Sequence, residues 1–81
     1  MSMADVKRSF SAGLGGSGVA LTGATLTYER NDDQDRTDQR LNFTVTKPDG
    51  ASTLITELID GRDPVSAARL IAEQFVASLT E

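Results

Sequence analysis

Apolar positions fall at helical spacing in one long stretch, residues 63–79, DPVSAARLIAEQFVASL. At about 100° per residue, Val65, Ala68, Ile71, Ala72, Phe75, Val76 and Leu79 share one arc of about 140°. Ser66, Glu73 and Gln74 lie outside that arc, as do Ser78 and Leu70. Asp63 suits the N-cap, because its carboxylate can accept bonds from the first-turn N–H groups. Pro64 suits the first helical position, where no N–H is needed. The pattern predicts an amphipathic helix that must be held by packing, since a free helix of this length is marginal in water.

Elsewhere the apolar residues alternate. In 41–46, LNFTVT, Leu41, Phe43 and Val45 take one face, and Asn42, Thr44 and Thr46 the other. The KPDG that follows is a turn: Pro48 pre-sets its first central position, and Gly50 takes the left-handed one. With Lys47 facing Ala51, Val45 faces Thr53 and Phe43 faces Ile55. Ile55 then points into the core and Leu54 to the outer face beside Thr44. Leu58 follows Leu54 outward, and Glu57 lands inward opposite Leu41, so the strand is expected to end or twist there.

Residues 19–30, VALTGATLTYER, form another predicted strand, with Ala24, Leu26 and Tyr28 on one face. Val19 and Leu21 are out of phase with them, and a bulge at Gly23 would return both sets to the core side. Residues 31–40, NDDQDRTDQR, hold no apolar residue and read as a long polar connection or the solvated tip of an extended hairpin, with a mobile charged loop expected. In residues 5–12, Val6 and Phe10 would share a strand face with Arg8 between them. An edge strand or a frayed tail anchored by one Phe is expected there. Residues 1–18 are thus read as a flexible N-terminal segment ending in a glycine-rich linker, GLGGSG, and 19–81 as one domain.

At 81 residues the chain has room for one small core. It contains neither cysteine nor histidine, which excludes disulfides, thiolate chemistry, Cys/His zinc sites and Ser-His or Cys-His catalysis. Twelve acidic against eight basic residues give a net charge of −4, which opposes binding to nucleic acid or anionic lipid. No apolar run is long enough to span a bilayer, and the N-terminus lacks the apolar centre of a signal peptide. A cytoplasmic location is expected.

Two motif-like stretches do not hold together. Gly13, Gly15 and Gly18 satisfy G-x-G-x-x-G, but that phosphate-binding turn needs a strand before it and a helix after it; a strand follows here. Asp33, Asp35 and Thr37 follow the opening of a calcium loop, but Asp38 and Thr44 stand where Gly and Glu are required. No cofactor or metal is expected.

The fold class expected is α+β: a three- or four-stranded antiparallel meander with one C-terminal helix packed on one face. The function expected is a non-enzymatic association module, an accessory, structural or inhibitory protein whose partner is another protein or itself. Leu54 on the outer sheet face and Leu70 on the outer helix surface are the candidate partner-binding residues. Single exposed leucines are ordinary; in a larger patch they would mark an interface. An unpaired edge strand also invites association by strand addition. Two alternatives stand beside this reading: nucleic-acid binding through the sheet face, or a small enzyme subunit whose site is completed by a partner chain.

Overall fold

The computed structural model describes residues 2–59 and 61–79. Its elements are α1 (Met3–Leu14), β1 (Ala20–Asn31), β2 (Arg36–Thr46), β3 (Ser52–Leu58) and α2 (Pro64–Leu79), with a 3-10 turn at Asp32–Gln34. The three strands form an antiparallel sheet in the order β1-β2-β3. Both helices cover one face of it, and one core joins them to the sheet.

The hairpin β2–β3 takes the register fixed by its turn. Lys47 N–H donates to Ala51 O at 2.8 Å, and Gly50, at φ 89°, donates to Lys47 O at 2.8 Å. Val45 pairs with Thr53, Phe43 with Ile55 and Leu41 with Glu57. The strand ends at Leu58, as the inward Glu57 requires, and Ile59 beyond it is fully buried. In β1 the register shifts between Leu21 and Gly23. Thr22 is the extra residue, and its hydroxyl donates to Thr44 O at 3.0 Å, giving that carbonyl a partner where the ladder is interrupted.

α2 begins as predicted. The Asp63 carboxylate accepts from the N–H groups of Val65 and Ser66 and from the Ser66 hydroxyl. Ala67, Ala68, Ile71 and Ala72 are buried, with Val65, Phe75 and Val76 partly so.

The N-terminal segment is where the fold departs from expectation: there are two helices, not one. Residues 3–14 are helical, not an edge strand or a tail. Met3, Val6, Phe10 and Leu14 recur at three and four residues, which is a helical face, and Val6, Phe10 and Leu14 are in the core. Ser2 caps the helix by accepting from Asp5 N–H. The glycines after Phe10 have fixed roles. Gly13 lies where α1 crosses α2, and a Cβ there would sit 2.5 Å from Arg69 O and 2.8 Å from the Ala72 Cβ. Gly15 ends the helix at φ 55°.

The polar stretch 31–40 is the tip of an extended hairpin, the second of its two expected forms, and not a loose connection. Residues 36–40 belong to β2 and pair with residues 27–31 of β1, and Asn31 caps the turn by accepting from Gln34 N–H. β1 has 12 residues and so runs about 40 Å, close to the 41 Å length of the molecule. The 16 residues of α2 cover only about 24 Å. The far end of the β1–β2 ribbon therefore projects past the helices, and Tyr28, on the core side of the sheet, is left 64% exposed.

Candidate association edge

The bond pattern of the hairpin decides which backbone groups of β3 are spent and which are open. In an antiparallel pair, alternate residues aim both N–H and C=O at the partner strand, and those between aim them away. Lys47 bonds to Ala51 at one end of the hairpin, and Ile59 N–H donates to Gln39 O at the other. The odd-numbered residues of β3, Thr53, Ile55 and Glu57, therefore bond to β2. Ser52, Leu54, Thr56 and Leu58 turn their backbone groups to the outer edge, where the described residues supply no further strand. Among the described residues, only the last of these carbonyls is occupied: the Arg62 guanidinium donates to Leu58 O at 3.0 Å and also reaches Ile59 O and Glu57.

Open edges are usually blunted by lysine, proline, a bulge or an inward charge. β3, STLITEL, contains no lysine, proline or glycine. Its one charge, Glu57, is ion-paired to Arg62. The β1 edge is different. It carries the bulge at Thr22, and its far end holds Glu29 and Arg30 on the projecting ribbon.

Leu54 and Leu70 are on opposite layers and do not meet. Leu54, 65% exposed, is on the uncovered face of β3, and Leu70, 45% exposed, is on α2. They nevertheless flank the same edge. α1 packs beside β1 and against α2, and Arg62, two residues before α2, reaches Leu58 O on the open edge, which puts the start of α2 on the β3 side of the helical layer. α2 meets α1 through Val65, whose carbonyl accepts from the Ser9 hydroxyl at 2.5 Å, and through Arg69 and Ala72. Leu70, Gln74 and Ser78 lie roughly 130–175° round the helix from that contact, on the flank above the open edge. All three are exposed and uncharged.

Apart from Leu54 and Leu58, the uncovered sheet face is largely polar, with several of its side chains bonded to one another. Asn42 donates to the Thr27 hydroxyl at 3.1 Å. Arg40 donates to Glu29 at 2.6 Å and to the Thr56 hydroxyl at 3.4 Å. The Glu29 hydrogen bond holds the Arg40 guanidinium above its ordinary pKa. On the ribbon, Arg30 pairs with Asp32 and Asp35, and Arg36 with Asp38. Of the two acidic residues spaced like the opening of a calcium loop, Asp35 is engaged in these pairs. Among the described residues no cluster of acidic side chains is arranged to hold a metal ion, and no helix is long and apolar enough to cross a membrane. A shallow groove of about 420 Å3 lies at the turn end, between Ser17, Lys47, Pro48, Asp49, Val76 and Leu79.

Comparison with protein-family models, with curated proteins and with solved structures finds no match.

Sequence reasoning placed Leu54 and Leu70 on the surface, where they lie, but did not reach the open backbone of β3, nor the part of Thr56 and Arg62 in it. The signal was present in the turn: with Lys47 and Ala51 as a bonded pair, every even-numbered residue of β3 must face outward.

Proposed function

We propose that the protein is a non-enzymatic association module that binds its partner along the β3 edge. The observation that carries this reading is the run of open backbone groups at Ser52, Leu54 and Thr56, flanked on both layers by an exposed leucine. Strand addition draws affinity from main-chain hydrogen bonds and specificity from flanking side chains, and β3 offers both. On the uncovered face and the ribbon, Glu29, Asp32 and Asp35 are engaged in exposed ion pairs, a setting that does not desolvate a carboxylate and so does not make it a general acid. A sheet that reads single-stranded nucleic acid stacks bases on aromatic rings. Here that face presents Thr25, Thr27, Asn42, Thr44 and Thr56, while Tyr28 is on the opposite side.

The test is a Thr56→Pro substitution. Thr56 N–H faces outward, so proline there removes no backbone bond to β2, only the 3.4 Å bond from Arg40 to the Thr56 hydroxyl, and places a ring on the edge. Wild type and variant are compared for complex formation, each with itself and as bait in extracts of the native host. The expected result is that complexes formed by the wild type are lost in the variant while its circular dichroism is unchanged. Complexes retained in full by the variant would refute the edge as the binding site.

A further inference from the structure

We infer that the occupant of this edge is a second copy of the chain, paired antiparallel about a two-fold axis through Ile55; the inference rests on the edge being the association site. The outward backbone groups are on residues 52, 54, 56 and 58, a set symmetric about 55. Self-pairing in that register sets Ser52 opposite Leu58 and Leu54 opposite Thr56, so open groups meet open groups along the whole strand. Arg62 has only to release Leu58 O for the outermost bonds to close.

The register also satisfies charge and burial. Glu57 faces Thr53 of the second copy, so no like charges are opposed within the strand, and Glu57 is itself paired with Arg62. On the uncovered face, the diagonal neighbours of Leu54 become Leu54 and Leu58 of the second copy, within reach across an antiparallel pair. Leu54 and Leu58, now 65% and 38% exposed, then form one apolar cluster over the seam. A strand pair alone is small beside the ~1,000 Å2 that a specific interface needs. On the helical side, the α2 flank with Leu70, Gln74 and Ser78 meets its own copy, adding uncharged surface. Pairing β3 with β3 closes after two copies, whereas β3 with β1 would propagate into a filament.

The absence of cysteine allows a direct test. Odd-numbered residues form the non-hydrogen-bonded pairs across the seam, with Cα atoms about 4.5 Å apart, within disulfide range. Ile55→Cys is expected to oxidise to a covalent dimer. Thr53→Cys and Glu57→Cys are each expected to resist it, because their own copies sit about 14 Å along the strand. A mixture of the two should give the crossed dimer. This mixture also covers the case in which Ile55→Cys perturbs the core. Sedimentation equilibrium of the wild type should show a reversible dimer, and Thr56→Pro a monomer. A wild type that stays monomeric at millimolar concentration overturns the inference, as does a dimer unaffected by Thr56→Pro. If the wild type is monomeric but forms a Thr56→Pro-sensitive complex with a foreign chain, self-pairing falls and the association reading stands. If neither complex exists, both fall.

Discussion

Phe10 of α1 lies face to face with Phe43 of β2, ring centroids 4.1 Å apart and planes 19° from parallel. Both side chains are fully buried, so the first helix is part of the core. Phe10→Ala should destabilise the protein by about 3–5 kcal/mol, the range for truncating a buried Phe. Chemical denaturation measures it, and a loss below about 0.5 kcal/mol, the scale of a surface substitution, would mean that residues 3–14 do not pack as described.

Gly13 should not tolerate alanine. A helix interior gains up to about 1 kcal/mol from Gly→Ala in propensity. Here the new methyl would sit 2.5 Å from Arg69 O, and a backbone atom does not move aside cheaply. Separating two packed helices costs about 1–3 kcal/mol, so Gly13→Ala should lower the denaturation midpoint. Gly16→Ala, which meets no atom within 4 Å, should leave it nearly unchanged.

Proline should sort the two sides of β3. Ile55→Pro removes the N–H that bonds to Phe43 and leaves a buried carbonyl unsatisfied, a penalty of about 1–3 kcal/mol before any steric effect. Thr56→Pro removes no backbone bond to β2. Thermal melts of the two variants should therefore differ clearly, with only Ile55→Pro strongly destabilised. Equal losses would mean that the open and bonded positions have been assigned to the wrong residues.

The N-cap of α2 should make stability depend on acid. The Ser66 hydroxyl and the Ser66 and Val65 N–H groups hold the Asp63 carboxyl below its ordinary pKa. Its folded value is thus below its unfolded one, about 3.9. The stabilisation is complete above the unfolded value and fades as pH falls through the folded one. An Asp63→Asn variant should be less stable than wild type near neutrality, with the gap closing below about pH 4. A gap that does not change with pH would remove the charge from the account.

Much of this architecture is legible in the sequence, and the parts that are not have physical causes. α2 announces itself through Asp63, Pro64 and an apolar stripe without a break, and the KPDG turn fixes the β2–β3 register. α1 is missed because Val6 and Phe10 are four apart, a spacing that fits both periods. Leu14, which would decide for the helix, is hidden among glycines that read as a linker. Residues 31–40 leave a loose connection and a hairpin tip undecided in the sequence, because their pairing is held by backbone bonds and not by buried side chains. Leu54 and Leu70 are legible as exposed leucines. That they flank one edge is not, because it depends on α1 occupying the β1 side and displacing α2 toward β3.

The projecting end of the β1–β2 ribbon has a consequence of its own. Past Arg40 and Leu58 the sheet narrows to two strands, fastened by ladder bonds and by exposed ion pairs of small individual worth. That end should peel open and reclose while Leu41, Phe43 and Val45 stay shut. Amide protons of residues 29–38 should then exchange with solvent orders of magnitude faster than those of the core, and faster still as salt weakens the pairs. The chain would thus behave as a stiff block with a soft handle, each melting on its own schedule.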